Sequence, residues 1–556
     1  MGRSAIRTDS AVNLTALKFG CNRLCIPLLA GIVLIVLGQV EAGAAVINAA
    51  SVSLADVTAA VALANDGDTV VIPAGTASWT QTLTITNGIT LQGQTTISGD
   101  HTTTMTANDQ TIILDDIPRG GLCQLVLDQH TSGTCRVTGI TFRNGALTSY
   151  SDSGSIMSWC YPPAYFRVDH CHLQGLHNDF LGLTGGQVYG VCDHNIFDMG
   201  LAGRGFVFTM ANWGGHSYGD GAWAAPTDFG GPTFFFVEDC TINNSIAAAQ
   251  TVGGTDSYGG GKFVIRYSTF INCVVTDHGT ESSGRLRSVR AKEIYNNTFL
   301  FNRFSGSGGL QRGGCALIHD NTYTYVPPGW ITGITLTNFR SFDRFLAFGT
   351  GNGNDAWDLN SDTADHTGNG LGGGVNGLFS SGTTITGTVN GSITVAGTPW
   401  TTNQWVGYTL TNTTSNPNKA SYIISNTANT ITYWFLIYDP NEPLGNVPFT
   451  TGDAFAIYKL PTACLDQCGR GQGNLIGGDV PTPHAWPSEA LEPVYSWNNT
   501  LNGSNVNLNA NTPTIIEGRD FYNNTPMPGY TPYTYPHPLV SGGPGPQAPG
   551  DLHIMP

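Results

Sequence analysis

The sequence has little charge, and positive charge is especially scarce. Only 11% of its 556 residues are charged, five are lysine, and 23 basic residues stand against 39 acidic ones, for a net charge of −16. Long amphipathic helices need charged outer faces, so this composition argues against a helical fold. The acidic balance also predicts that nucleic acid is not a partner.

Long hydrophobic runs are missing too, apart from one near the N-terminus. An uncharged apolar segment at residues 26–40 is followed by "EAGAA" and preceded by four basic residues, Arg3, Arg7, Lys18 and Arg23. This order is typical of a secretory signal peptide and predicts cleavage after Ala44. An uncleaved anchor is the alternative, although the run is short for a membrane span. We expect a secreted protein, extracellular or on the cell surface, with no membrane segment after cleavage.

Ten of the twelve cysteines follow that segment, an even number that is typical of disulfides in an oxidising compartment. Cys123 with Cys135, and Cys464 with Cys468, are close enough in sequence to form pairs. The stretch "CLDQC" is an alternative zinc motif, but no second ligand pair at metal spacing accompanies it. We therefore expect the cysteines to have structural roles.

A short alternating pattern recurs along the chain, as in "RVDHCHLQG" from Arg167 and "EIYNNTFLFN" from Glu293. Each copy starts and ends on an apolar residue five positions apart and has cysteine, serine or asparagine at the fourth position; one weaker, earlier copy has isoleucine there. The last apolar positions, 24 to 45 residues apart, are Phe142, Leu173, Phe197, Ile242, Phe270, Phe299 and Tyr323. Repeats of this length with short strands and no helical periodicity predict an all-β solenoid, and we favour a right-handed parallel β-helix.

The fourth position of the pattern is occupied by Cys171, Asn195, Cys240, Ser268, Asn297 and Asn321. At a bend between two strands of a coil, small polar side chains can point inward and hydrogen-bond their equivalents one coil away, about 4.8 Å along the stack. The alternative is that they are ordinary turn residues. Their recurrence in register favours a ladder.

The pattern divides the chain into five parts. A signal peptide at residues 1–44 precedes a β-helix with an N-terminal cap at residues 45–380. Residues 381–460 have hairpin signals without the ladder pattern and predict a small inserted β-domain. Residues 461–540 are assigned to C-terminal coils and a cap, and residues 541–556 to a flexible tail.

Four segments resemble a known family: "YGDGAWAAPTDFGGPTFFFVEDCTI", "YGGGKFVIRYSTF", "HGTESSGRLRSVRAKEIYNNTF" and "GRDFYNNTPMPGYTPYTYPHPL". They are similar to segments of secreted bacterial right-handed β-helix proteins of the pectin-lyase-like superfamily. The resemblance covers most of the mature chain and implies the fold. The superfamily includes polysaccharide lyases, glycoside hydrolases, phage tailspikes and adhesins, so the resemblance does not select one function.

Insertions that lengthen the coils all fall between the last apolar position of one copy and the first of the next. Stacking therefore predicts that they lie side by side and wall a groove. Aromatic faces there suit sugar rings, and arginines suit uronate carboxylates. The residues assigned to substrate binding are Trp213, His216, Asp220, Trp223, Tyr258 and Arg287, and Tyr218, Asp256, Arg303 and Arg312 complete the walls. The alternative is that the tryptophans pack a loop and the arginines pair with local acids.

The predicted catalytic residues are Asp277, His278, Glu281 and Arg285. In a lyase, His278 or Arg285 would act as the base and Arg287 would neutralise the substrate acid. In a hydrolase, two of the carboxylates Asp220, Asp277 and Glu281 would flank the bond. The full residue set of neither a known lyase nor a polygalacturonase is found.

The stretch "DLNSDTAD" is a candidate calcium loop with oxygen ligands at Asp358, Asn360 and Asp362. Thr363 stands where an EF-hand loop needs glycine, and the twelfth position lacks glutamate. Calcium is therefore the one cofactor that we consider, and a solvated polar loop is the favoured alternative.

Two functions are expected from these residues. The first is cleavage or binding of an extracellular polysaccharide, with uronate-containing chains as candidates. The alternative is a non-enzymatic adhesin, fibre or structural subunit that binds a surface glycan or self-associates. An enzyme requires acids, histidine and arginine to converge in an open cleft, whereas a fibre requires closed loops.

Overall fold

The protein consists almost entirely of short strands. Its structure, a computed structural model, describes residues 44–118, 123–128, 133–147, 156–158, 164–175, 179–183, 188–199, 204–209, 220–244, 253–279, 287–337, 378–386, 391–406, 409–414, 416–433, 448–458, 466–473, 489–511 and 515–542. Within these ranges two α-helices are present, α1 at Leu54–Val61 and α2 at Asp220–Ala224, with one 3₁₀ turn at Pro538–Ser541.

Most strands belong to coils that contribute one strand to each of three sheets. Among the described residues, sheet A contains Val46–Asn48, Thr69–Val71, Thr90–Gln92, Thr134–Thr138, Ala164–Asp169, Val188–Asp193, Phe235–Glu238, Lys262–Arg266, Ala291–Tyr295, Cys315–His319, Val494–Trp497 and Phe521–Asn523. Sheet B contains Gly75–Trp79, Thr111–Asp115, Thr141–Asn144, His172–Gln174, Ile196–Asp198, Thr241–Asn243, Thr269–Ile271, Thr298–Phe301, Thr322–Tyr325, Thr500–Leu501 and Ser504–Asn505.

The third side of the coils has two consecutive parts. Sheet C contains Leu83–Ile85, Leu125–Leu127, Ile156–Ser158, Asp179–Leu183, Arg204–Phe208 and Gly253–Thr255, and sheet D contains Val275–Thr276, Gly309–Gln311, Ile334–Leu336 and Leu508–Ala510. A parallel bridge between Gly253 and Val274 links them. Shorter pairs are formed by Thr96–Ser98 with Thr106–Asn108, Ser305–Gly306 with Trp330–Ile331, and Arg470–Gly473 with Glu489–Leu491. The predicted right-handed parallel β-helix is confirmed.

The bend between sheets A and B explains the repeating pattern. The residue before each fourth position has a left-handed backbone, with φ of 49 to 55° at His170, His194, Asp239, Tyr267, Asn296, Asp320 and Asn498. This conformation turns the next side chain into the coil. Asn297 Nδ2 donates to Asn321 Oδ1 at 3.0 Å, and Asn321 Nδ2 donates to Asn499 Oδ1 at 2.9 Å. The predicted ladder is confirmed.

Apolar residues stack in the same register inside the coils. The ring centroids of Phe270 and Phe299 are 4.9 Å apart, those of Phe299 and Tyr323 are 4.5 Å apart, and all three side chains are buried. Helix α1 covers the first coils, as the predicted cap requires, with Val57 and Ala60 buried against the same core.

A closed antiparallel barrel interrupts the solenoid. It contains Leu378–Thr386, Ser392–Val395, Thr409–Asn412, Asn416–Asn426, Thr430–Tyr433 and Ala454–Tyr458. Strand Cys315–His319 before it pairs directly with Val494–Trp497 after it. The barrel is therefore an insertion between two neighbouring coils, where the sequence predicts a small domain at residues 381–460.

Residues 525–542 form a strap over the outer face of sheet A. Tyr530 Oη donates to Glu293 at 2.5 Å, and the Arg266 guanidinium donates to the carbonyls of Tyr533 and Thr534 at 2.7 and 2.8 Å. Farther along, Arg167 donates to the Leu539 carbonyl at 3.2 Å. The strap thus crosses successive coils and encloses their outer charges.

The described cysteines are buried. Cys123 and Cys135, one predicted pair, are not joined to each other, and the predicted partner of Cys468, Cys464, lies outside the described residues. Cys171 and Cys240 occupy their bend positions without a mutual bond, as expected from their separation. The reason is that coil stacking places these side chains in the apolar interior, where a thiol packs as a small hydrophobic group.

Several predictions fall on residues outside the described ranges. These are the signal peptide before Ala44, Cys464, and the tail beyond residue 542. Neither described helix has the length and apolar character that a membrane span requires.

His172 is held on the outer face of sheet B between two carboxylates. Nδ1 lies 2.8 Å from Asp109 and Nε2 lies 3.0 Å from Asp198, while Arg143 also contacts Asp109 at 2.7 Å. Burial by itself lowers the His172 pKa, but the hydrogen bonds to the two aspartates outweigh it and raise the pKa above its ordinary value. The folded state therefore favours the imidazolium.

Replacing Asn321 with alanine should lower the free energy of unfolding by about 2 to 4 kcal/mol, because buried groups on both neighbouring coils lose their partners. Denaturant unfolding measures this change. The control is Asn108→Ala, since Asn108 is exposed; its effect should stay within about 0.5 kcal/mol. Equal effects of the two variants would contradict a stabilising ladder.

His172→Gln should destabilise the protein more at pH 6 than at pH 8.5. The raised folded-state pKa means that the stabilisation is complete below the unfolded value of about 6.5 and is lost as the pH rises through the folded-state pKa. Unfolding curves of both proteins across this range measure the difference. A difference that grows with rising pH would refute the stabilisation of a protonated His172 by Asp109 and Asp198.

Candidate functional site

The candidate site is built by loops that follow three neighbouring strands of the third side. Asp256 follows Gly253–Thr255, Asp277 and His278 follow Val275–Thr276, and Arg312 follows Gly309–Gln311. A parallel bridge between Ser257 and Asp277 keeps the first two loops in register. Parallel stacking therefore brings together residues that are up to 56 positions apart.

The partly exposed part of the site is a cluster of histidine, aspartate and arginine. His278 Nε2 lies 2.7 Å from Asp256 Oδ1, and Arg312 Nη2 donates to the same oxygen at 3.1 Å. The side chains of His278, Asp256 and Arg312 are 27%, 14% and 14% exposed. The Tyr258 ring meets the His278 ring edge to face, with centroids 5.8 Å apart. We name these four residues the His278 cluster.

The cluster can orient an imidazole. A carboxylate bonded to one ring nitrogen fixes the position of the ring. The guanidinium beside it supplies a permanent positive charge with directional donors. A proton acceptor and a cation therefore lie within one hydrogen-bonded group.

Asp277 lies beneath the cluster and is fully buried. It accepts hydrogen bonds from Lys292 Nζ and, at 2.5 Å, from the Arg312 backbone amide, while Arg312 Nε donates to its carbonyl. Burial raises the pKa of the Asp277 carboxyl, and the neighbouring Lys292 and Arg312 partly offset that rise. Its contacts position Arg312, and its carboxylate is not exposed to a substrate.

Arg287 and Trp223 are buried and do not line the predicted groove. Arg287 is 1% exposed and donates to both oxygens of Asp466, with Nη2 at 2.6 Å from Oδ1. Its guanidinium lies 4.9 Å from the centre of the buried Trp223 ring. Arg290 contacts the same ring at 5.6 Å. These positions favour the alternative in which the tryptophan packs a loop and the arginine pairs with a local acid.

Arg303 is partly buried, and its backbone amide donates to Asn272 Oδ1 at 3.2 Å. The other predicted residues lie outside the described ranges or lack a described side chain. Asp220 begins helix α2, but only its backbone is described. The others are Trp213, His216, Tyr218, Glu281, Arg285, Asp358, Asn360 and Asp362. Within the described part of the chain, no three His, Cys, Asp or Glu side chains are placed to hold one metal ion. The calcium prediction therefore stays untested.

Sequence reasoning missed Lys292 and Asp466. Lys292 lies in strand Ala291–Tyr295, where a lysine in an otherwise buried strand was the available signal. Asp466 follows the inserted barrel and pairs with an arginine 179 positions earlier. No local pattern predicts a contact of that separation.

Comparison with known proteins adds only remote structural similarity. No protein-family model matches the chain, and no curated protein matches its sequence. A solved alginate lyase from Paenibacillus sp. str. FPU-7 matches with a TM-score of 0.28 and 11% identity, over 52% of this chain and 97% of its own. A match this remote carries no argument about the site, so the site rests on its own geometry.

Arg287→Met should lower the free energy of unfolding by about 3 to 5 kcal/mol, because Asp466 is left as an uncompensated buried charge. Denaturant unfolding tests this. The control, Arg143→Met, removes an ion pair whose side chains are 35% and 20% exposed, and should cost at most about 1 kcal/mol. If Arg287→Met instead keeps full stability and loses polysaccharide binding, Arg287 is a substrate residue after all.

Proposed function

We propose that the protein is an exported carbohydrate-active β-helix protein that cleaves an acidic polysaccharide by β-elimination at the His278 cluster. The observation that carries the proposal is the hydrogen-bonded group of His278, Asp256 and Arg312, partly exposed on the flank of the solenoid. Tyr258 next to the imidazole offers an aromatic surface for a sugar ring.

In this reaction His278 takes the proton from the carbon beside the uronate carboxylate. The released electron pair forms the new carbon–carbon double bond as the bond to the neighbouring glycosidic oxygen breaks, and that oxygen gains a proton from water. Asp256 orients the imidazole and stabilises its positive charge. Arg312 neutralises the substrate carboxylate, the role predicted above for Arg287. This neutralisation lowers the barrier to removal of the proton from the neighbouring carbon.

Hydrolysis is less well supported by the same geometry. It needs two carboxyl groups that face the glycosidic bond from opposite sides. Asp277 is fully buried, and Asp256 is already bonded to His278 and Arg312. Elimination requires only the base and the cation that the cluster contains.

The test is a survey of acidic and neutral polysaccharides with the purified mature protein, with and without calcium. We expect ultraviolet absorbance of unsaturated uronates on at least one acidic polymer. His278→Ala should lower kcat about 100-fold or more, as expected for loss of a general base. Asp256→Asn, a positioning variant, should lower kcat less and shift the pH profile, because the imidazole loses its anionic partner.

The matched control is His101→Ala. His101 is 28% exposed and lies 2.6 Å from Asp239 on another part of the solenoid, so its change should leave kcat unaltered. New reducing ends without absorbance would replace elimination by hydrolysis. Glycan binding or self-assembly without cleavage of any polymer would support the non-enzymatic alternative.

A further inference from the structure

A polar cavity lies on the bend between sheets A and B, near the N-terminal end of the solenoid. It has a volume of about 350 Å³ and lies between the hairpin Thr96–Ser98/Thr106–Asn108 and the outer side of strand Thr134–Thr138. Ligand pockets start at roughly 300 Å³, so the space suits a small ligand such as one sugar unit. The His278 cluster follows strands of the third side in later coils, so the two places are separate.

Arg136 supplies the main donor of this cavity. Its Nε and Nη2 atoms each donate to the buried Asp169 carboxylate at 2.7 Å, and its side chain is 37% exposed. Nη1 makes no hydrogen bond within the part of the chain that the structure describes. The bidentate contact fixes the guanidinium plane and leaves this donor for a ligand.

His170 supplies a second group from the next coil. Its Nδ1 lies 2.8 Å from Asp169, and its ring stacks in parallel on His194 with centroids 5.1 Å apart. The left-handed backbone at the bend, with φ of 51°, places the side chain at the cavity. Asp169 therefore orients both Arg136 and His170.

Burial by itself raises the pKa of Asp169, but hydrogen bonds from Arg136 and His170 outweigh it and hold that pKa well below the usual range. The carboxylate thus remains charged and keeps both partners in place over the whole neutral range. It is fully buried, so it does not present its charge to the cavity.

The rim of the cavity is polar and contains no acid. Gln92, Gln94 and Thr96 are exposed there, and their amides and hydroxyl can bond to sugar hydroxyls. None of the lining residues is aspartate or glutamate, although the whole chain has a net charge of −16. The cavity therefore lacks the repulsion that most of this acidic surface exerts on an anion.

We propose that this cavity is a binding site for a carboxylate-bearing sugar unit. Arg136 Nη1 binds the carboxylate, and His170 Nε2 and the side chains of Gln92, Gln94 and Thr96 bind ring hydroxyls. The site binds without cleaving and is independent of the His278 cluster. A protein with both features holds an acidic glycan at a place remote from the reacting bond.

The test uses single sugars, which have no glycosidic bond to cleave. Hydrogen exchange of the full chain is measured with glucuronate or galacturonate, with neutral glucose, and with acetate as a simple anion. We expect a uronate to protect peptides that cover residues 92–97 and 134–139. Glucose and acetate should protect them far less, because each supplies only half of the recognised groups.

Gln92→Glu adds a negative charge at the rim without removing a buried contact. It should weaken uronate binding about fivefold or more, since like charges are then juxtaposed. The control is Gln404→Glu, an equally exposed glutamine in the inserted barrel, which should bind like the wild type. Arg136→Lys provides a second variant that keeps the charge and loses the bidentate fork, and it should also bind more weakly.

Three results would overturn the proposal. The first is protection by glucose or acetate equal to that by both uronates, which would remove the claim of uronate recognition. The second is unchanged affinity in Gln92→Glu, and the third is uronate protection confined to residues 256–261 and 277–279. The third result would leave the proposed reaction intact. Conversely, a wild-type protein that cleaves no polysaccharide would overturn the reaction and leave this site intact.

Discussion

The hydrogen-bonded bend between sheets A and B is the constraint on which the solenoid depends. Each coil turns there in two residues, and the first, such as Asn296, takes the left-handed conformation that L-residues rarely adopt. The next residue, Asn297, accepts from the Ser268 amide and donates to the Ile265 carbonyl of the preceding coil. Since every coil is in register with its neighbours at this bend, the strands on either side of it are in register as well.

Register at the bend also aligns the charged side chains on the outer face of sheet A. The outer positions of sheet A carry charges such as Arg266 and Glu238, and these side chains are fully buried because the C-terminal strap covers them. A low charge content thus coexists with many enclosed ion pairs, which are costly unless every partner is present. Much of the scarce charge of this chain is used for holding coils, loops and strap together.

The two proposed sites follow from the same stacking. Loops after the third strand bring His278 to Asp256 and Arg312 from neighbouring coils. At the N-terminal end of the solenoid, Arg136 and His170 line a cavity. In both places a carboxylate from an adjacent coil orients a basic group, so the coil spacing itself sets the geometry of each site.

The sequence by itself determined the coil and the inward ladder and indicated a small inserted β-domain, because these features repeat or break a local pattern that short windows contain. It also predicted that His278, Asp256 and Arg312 lie on one flank, because insertions at the same point of successive coils lie side by side. Only the tertiary structure decided which side chains on that flank are exposed. Arg287 is enclosed by Asp466, which lies 179 positions later, and Asp277 is enclosed by Lys292 from the next coil. Burial depends on such distant partners, and a local sequence pattern does not reveal them.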